Sequence, residues 1–70
     1  MSWVTVATFA QEETARLLAG RLQAEGIEAR TYPEWQGQYY GESVHMPVQV
    51  LVPEHRVLEA RMVIESLEIQ

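Results

Sequence analysis

The spacing of apolar residues along this chain switches between the two-residue period of strands and the period of helices, and the order of these switches constrains the fold. The first segment, Trp3 to Ala7, alternates and is rich in β-branched residues, which predicts a strand. Thr8 and Gln11 have the spacing of a capping box, which predicts a helix from there to Glu25. Gly26 is expected to end this helix with a positive φ. The predicted buried stripe of the helix consists of Ala15, Leu18, Ala19 and Leu22.

The second half of the chain adds two strands and another helix. Residues 27–32 alternate and predict a second strand, whereas residues 34–43 have no clean period and predict a loop. A third strand with alternating valines is expected to begin after Pro47, because proline cannot donate a ladder hydrogen bond. Pro53 suits the first turn of a second helix, where its missing N–H is not needed. The predicted buried stripe of that helix consists of Val57, Ala60, Ile64 and Leu67.

Both predicted helices have one apolar stripe each, and both need the same apolar surface. The valines of the first and third strands provide this surface on one side of the sheet, which includes Val4 and Val6. Trp3 and Ala7 are expected on the opposite side. The sequence therefore predicts a single α+β domain over residues 1–70, a ferredoxin-like βαββα fold with two helices on one face of a three-stranded sheet ordered 1-3-2. We expect strands one and three to be parallel, strands two and three to be antiparallel, and residues 67–70 to be able to add a short fourth strand.

The length and the missing cysteines indicate how such a domain could be stabilised. With 70 residues, its core is expected to supply roughly 3–5 kcal/mol of net stability. Disulfides, metals or partner chains usually help domains of this size. The chain contains no cysteine, which excludes disulfides and cysteine-based zinc sites. Self-association is therefore the expected source of further stability.

The charge of the chain argues against two classes of partner. Ten Glu and five Arg give a net charge of −5, which is a poor match for a phosphate backbone, so we expect no nucleic-acid partner. There is no long apolar run and no cationic leader, so we expect no membrane partner. A soluble cytoplasmic protein is the prediction.

The side chains that could do chemistry form no known motif. His55 and Glu59 are four residues apart, but no further ligand completes a metal site, and His45 stands alone. The serines lack a nucleophile-elbow setting, and the chain contains no Cys, Lys or Asp. We therefore expect no enzymatic activity, no metal and no cofactor.

Two stretches of the chain resemble a known family. They are residues 22–29, Leu-Gln-Ala-Glu-Gly-Ile-Glu-Ala, and residues 50–54, Val-Leu-Val-Pro-Glu. This pattern resembles the small bacterial proteins described as "putative prokaryotic signal transducing protein", and the resemblance runs from about Val4 to Leu67. It implies a ferredoxin-like fold related to the PII nitrogen-signalling proteins, and no established catalytic activity. Residues 34–43 are not part of what matches.

The sheet face turned away from the helices is expected to carry Trp3, Tyr32 and Leu51. Large apolar groups on an uncovered face need an explanation. RNA-recognition domains stack bases on such aromatics, but they surround them with basic residues, which this acidic chain lacks. We therefore predict a homo-oligomer, with a dimer favoured, that associates through these three residues. The alternative is that the loop over residues 34–43 folds under the face.

The loop over residues 34–43 is rich in aromatic side chains and has two interpretations. It could be a lid that buries its own aromatics against the open face of the sheet. It could instead bind a partner or a small molecule such as a nucleotide or a metabolite, because binding residues often lie on loops of rigid scaffolds. The candidate binding residues are Trp35, Tyr39 and Tyr40, whose rings offer rigid contact area with polar groups.

Three further apolar residues are expected on the outer sides of the two helices. They are Leu17, Leu58 and Met62, each at a helix position opposite the buried stripe. Single exposed apolar residues are ordinary, but three on neighbouring helices indicate a second contact surface.

Overall fold

A computed structural model describes residues 2–33 and 47–68 of the chain. The elements follow the predicted order, and the fold is α+β with a ferredoxin-like βαββα layout. In chain order they are β1 (Trp3–Phe9), α1 (Glu12–Ala24), β2 (Arg30–Tyr32), β3 (Val48–Pro53), a 3₁₀ turn (Glu54–Arg56) and α2 (Val57–Glu68).

The three strands form an antiparallel sheet in the order β1-β3-β2. The predicted strand order is confirmed, but the prediction that the first and third strands are parallel is wrong. The crossover through α1 gives β1 and β2 the same direction. Because β3 returns after β2 and lies between the two, it runs opposite to both neighbours.

A β-bulge at Val6 changes which side chains of β1 face the helices. Thr5 pairs with Leu51 while Ala7 pairs with Val50, so Val6 is an extra residue without an opposite partner. A bulge shifts the alternation of all residues after it. Ala7 and Phe9 therefore pack against the core, and the prediction that Ala7 shares the open side with Trp3 is wrong.

The core lies between the sheet and both helices, as predicted. All four residues of the predicted α1 stripe are buried, and Ala60 of α2 is fully buried in the same cluster. Val57, Ile64 and Leu67 of the predicted α2 stripe are partly buried and pack against it. The cluster is completed by residues from the strands and from the segment before β2, namely Ile27, Ala29, Val48, Val50 and Val52.

The two ends of α1 differ in how well the sequence predicted them. The start is three residues later than expected: β1 continues through Thr8 to Phe9, and Gln11 is the N-cap without a side-chain hydrogen bond. The predicted capping box is therefore wrong. The end is as predicted, since Gly26 has a φ of 84°. The N–H groups of Gly26 and Ile27 donate to the carbonyl oxygens of Gln23 and Leu22, both at 2.9 Å, which is a Schellman motif.

Three smaller differences concern the ends of other elements. The second strand is shorter than predicted and starts at Arg30, although the preceding segment is partly buried. Pro53 is the last residue of β3 and precedes the 3₁₀ turn, so α2 begins only at Val57. Within the predicted fourth strand, residues 67 and 68 belong to α2, while residues 69 and 70 lie outside the described part of the chain.

Candidate functional site

The sheet face turned away from both helices is the candidate site, and we call it the open face. Because β1 and β2 pair with β3 in known registers, residues directly opposite one another share a face. Thr5, Leu51 and Arg30 form one such row across the three strands, and the Thr5 hydroxyl donates a 2.7 Å hydrogen bond to Oε1 of Gln49 on the same side. The described residues of the open face include Trp3, Thr5, Arg30, Tyr32, Gln49 and Leu51.

The predicted association residues Trp3, Tyr32 and Leu51 do come together on this face. Trp3 and Leu51 are half-buried, whereas Tyr32 is 61% exposed. The candidate binding residues Trp35, Tyr39 and Tyr40 lie outside the described residues, as do the loop over residues 34–43 and His45.

A cation–π pair that sequence reasoning missed spans the open face. The guanidinium carbon of Arg30 lies 4.2 Å from the centroid of the Trp3 ring. These residues belong to the two edge strands, so the contact passes over β3 between them. Such a pair contributes about 0.5–1 kcal/mol at an exposed site. Strand alternation puts both side chains on one side of the sheet, but the diagonal offset that brings them together depends on the register of all three strands.

The strands that form the open face contain few charged residues, in contrast to the helices. Arg30 is the one charged residue within the three strands. Within residues 2–33 and 47–68, no carboxylate lies at ion-pair distance from Arg30. The ion pairs of this part of the chain lie on the helices and the 3₁₀ turn: Glu12–Arg16 at 2.9 Å, Arg21–Glu25 at 3.6 Å, and Arg56–Glu59. They are solvent-exposed, and exposed pairs contribute little to stability.

The helical side has a second apolar feature, a groove of about 400 Å³ between α1 and α2. Leu17, Leu18, Ile64 and Leu67 line it together with Phe9 at the end of β1. Leu17, Leu58 and Met62 are exposed on the helices, which confirms their predicted position. A further groove of about 610 Å³ runs along the edge of β2 beside α1, and it is lined mainly by polar groups such as Arg16, Gln23 and Thr31.

Several kinds of site are not present in the part of the chain that the structure describes. No group of three or more His, Cys, Asp or Glu side chains is arranged to hold a metal ion among those residues. None of their buried side chains is polar or charged. His55 is exposed in the 3₁₀ turn. In the same residues, neither helix has the length and the apolar character that crossing a membrane requires.

The fold and the open face define a small α+β module with one sheet face that neither helix covers. The chain belongs to the family described as "Putative prokaryotic signal transducing protein", whose profile matches residues 3–68. This confirms the family expected from residues 22–29 and 50–54, and its description is not that of an enzyme family. No curated protein matches the chain, and no solved structure matches it.

Proposed function

We propose that this protein is a non-enzymatic binding module that associates with a second copy of itself through the open face. The observation that carries the proposal is the separation of charge and apolar surface. Trp3, Leu51 and the exposed Tyr32 share a face whose strands contain Arg30 as their one charged residue. The family description as a signal-transducing protein supports a binding role.

Electrostatics favours a second copy on this face over any other side of the molecule. Each copy has a net charge of −5, so two copies repel each other when their acidic sides meet. With the open faces together, the carboxylates of the helices point away from the interface. Two sheets packed face to face lie about 10 Å apart, and the Debye length at physiological salt is about 8 Å. Carboxylates on the far sides of both sheets are therefore screened from each other.

The size of the domain also favours association. A core of this size supplies roughly 3–5 kcal/mol, and small domains usually gain stability from a partner or a crosslink. Pairing two identical faces gives a closed, two-fold interface that does not continue into a fibre. Burial of Tyr32 and Leu51 in such an interface would remove their apolar area from water.

Tyr32→Glu tests this proposal because it replaces the exposed aromatic ring of the open face by a carboxylate. Tyr32 is 61% exposed in one copy, so the single domain should still fold. We expect the change to halve the mass of the assembly, since association would bury a carboxylate where the unaltered protein buries an aromatic ring. Light scattering coupled to size-exclusion chromatography over a range of concentrations measures this mass.

Leu58→Glu is the matched control for that experiment. Leu58 is 78% exposed and lies on α2, on the opposite side of the sheet from the open face. Leu58→Glu should leave the mass unchanged, because the proposed contact does not involve the helical side. A lower mass for Leu58→Glu alone would assign the contact to the exposed helical residues instead. If Tyr32→Glu and Leu58→Glu have the same mass as the unaltered protein, the open face is not the interface.

The second candidate function is the binding of a nucleotide or a metabolite by the aromatic segment over residues 34–43. It is favoured by the position of the exposed Tyr32, because this segment begins shortly after the end of β2. The proposed ligand contacts are Trp35, Tyr39 and Tyr40. Binding to the folded state raises the unfolding temperature by mass action.

A thermal-shift series with nucleotides and small metabolites tests the second candidate. We expect a ligand to raise the midpoint and to change the fluorescence of Trp35, measured in a Trp3→Phe background so that only one tryptophan reports. Tyr39→Ser should abolish both effects without changing the midpoint of the free protein. Unchanged midpoints and fluorescence with all compounds would rule this candidate out.

A further inference from the structure

The outer edge of β1 carries main-chain groups that no described residue pairs with. Glu54 N–H donates to the carbonyl oxygen of Ser2 at 2.9 Å, so Ser2 and Glu54 are a hydrogen-bonded pair of the antiparallel ladder. Hydrogen-bonded and non-bonded pairs alternate along such a ladder. Val4 therefore bonds to Val52 of β3, whereas the N–H and C=O groups of Trp3 and Thr5 point outward. Within residues 2–33 and 47–68, no strand lies on that side of β1.

This edge lacks most of the features that protect natural edge strands from pairing. Edge strands are usually short, or they contain charged residues, proline or a bulge. β1 has seven residues, none of them charged and none of them proline. Its bulge lies at Val6, so residues 3–5 remain a regular stretch before it. Among the described residues, no strand pairs with the outer side of this stretch.

We propose that the outer edge of β1 pairs antiparallel with β1 of a second copy, with the two-fold axis beside Val4. This contact lies at an edge of the sheet and is separate from the open-face contact of the proposed function. The outward groups of Trp3 and Thr5 lie two residues apart on either side of Val4, so Trp3 of each copy faces Thr5 of the other. About four main-chain hydrogen bonds form in this way, two in each of two symmetric pairs.

The same geometry makes a second copy the best occupant of the edge. An isologous contact needs a surface that is complementary to itself under a two-fold rotation. The stretch from Trp3 to Thr5 meets this condition, and it contributes no charge to the contact although each copy has a net charge of −5. The three-stranded sheets of the two copies then join into one continuous sheet. Its open face is twice as large and still available for the face-to-face contact.

Thr5→Pro separates edge pairing from folding. Proline is tolerated on an edge strand where the N–H faces solvent, and the N–H of Thr5 points away from β3. The single domain should therefore fold, but each copy loses the N–H of residue 5, which would donate to Trp3 of the other copy. Thr5→Val is the matched control, because it keeps the N–H and the β-branched shape but also removes the hydroxyl that bonds to Gln49.

We expect Thr5→Pro to halve the mass of the assembly relative to Thr5→Val in light scattering, with helical and strand circular dichroism retained in both. Hydrogen exchange of the unaltered protein provides a second measurement that needs no variant. The amides of Trp3 and Thr5 should be protected at high concentration and lose this protection on dilution. Equal masses for the two variants, or amides of Trp3 and Thr5 that exchange freely at high concentration, would overturn the proposal. So would protection of both amides in a monomer, because residues of the same chain would then occupy the edge.

The edge contact and the open-face contact can be tested independently of each other. If both exist, Thr5→Pro and Tyr32→Glu each halve the mass, and the double variant is a monomer. If Thr5→Pro halves the mass and Tyr32→Glu does not, the edge contact stands and the open-face contact is wrong. The reverse result overturns the edge contact and leaves the proposed function in place.

Discussion

Leu22→Ala is expected to unfold a large part of the molecules at room temperature. Leu22 is fully buried in α1, where it belongs to the core cluster between the helices and the sheet. Its carbonyl oxygen also accepts the N–H of Ile27 in the motif that ends the helix. Truncation of a buried leucine to alanine costs about 2–5 kcal/mol, and a core of this size supplies roughly 3–5 kcal/mol in total. The cost is therefore comparable to the whole net stability.

Leu17→Ala is the matched control, because Leu17 lies on the same helix and is 74% exposed. Surface substitutions usually change stability by less than about 0.5 kcal/mol. Urea unfolding followed by circular dichroism at one fixed protein concentration compares the two variants, since association shifts the apparent stability by mass action. Equal midpoints for Leu22→Ala and Leu17→Ala would show that Leu22 is not part of the core.

The features that the sequence predicted well are those that depend on local spacing. The buried stripe of α1 was predicted completely, because helical spacing fixes which residues share a side regardless of what they contact. The cap at Gly26 was also predicted, since a positive φ is a local requirement that glycine meets at low cost. The placement of Trp3, Tyr32 and Leu51 on one face depends on strand alternation, so it could also be predicted from the sequence.

The features that the sequence did not predict depend on how strands pair. Nothing in the alternation of β1 marks the extra residue at Val6, because the residues on both sides of it are apolar or small. The prediction for Ala7 failed for this reason. The prediction for the start of α1 failed because Thr8 still belongs to β1, where it pairs with Gln49 of β3. This pairing outweighs the side-chain cap that Thr8 could have provided. The stack of Arg30 on Trp3 also needs the register of three strands.

The candidate site was also predictable from local spacing in one part and dependent on strand pairing in another. Its residue types could be derived from the sequence, because strand alternation puts Trp3, Tyr32 and Leu51 on this face, and Glu28 and Arg30 of residues 27–32 on the same side. The outward direction of the main-chain groups of Trp3 and Thr5 could not, because it depends on the bond between Glu54 and Ser2. The open face was therefore predictable as a surface, whereas the edge of β1 required the structure.

The same substitution at two glycines of one helix region is expected to have opposite effects. An added Cβ meets no heavy atom within 4 Å at either Gly20 or Gly26, so packing does not distinguish the two positions. Gly20 lies inside α1, where glycine is about 0.5–1 kcal/mol less favourable than alanine, so Gly20→Ala should raise the free energy of unfolding. Gly26 has a φ of 84°. An L side chain in the left-handed region costs about 1–2 kcal/mol, so Gly26→Ala should lower the free energy of unfolding.

Gly26→Asn separates backbone strain from any other effect of a side chain at this position. Asparagine tolerates the left-handed region better than alanine does, so its loss of stability should be smaller than that of Gly26→Ala although its side chain is larger. We expect the urea midpoint to be highest for Gly20→Ala and to fall in the order unaltered protein, Gly26→Asn and Gly26→Ala. A Gly26→Ala variant as stable as Gly20→Ala would mean that residue 26 does not hold a positive φ in solution. The hydrogen bond from the Ile27 N–H to the carbonyl oxygen of Leu22 would then not be held by a Schellman motif. The direction in which the chain enters β2, and with it the contact of Arg30 with Trp3, would need another cause.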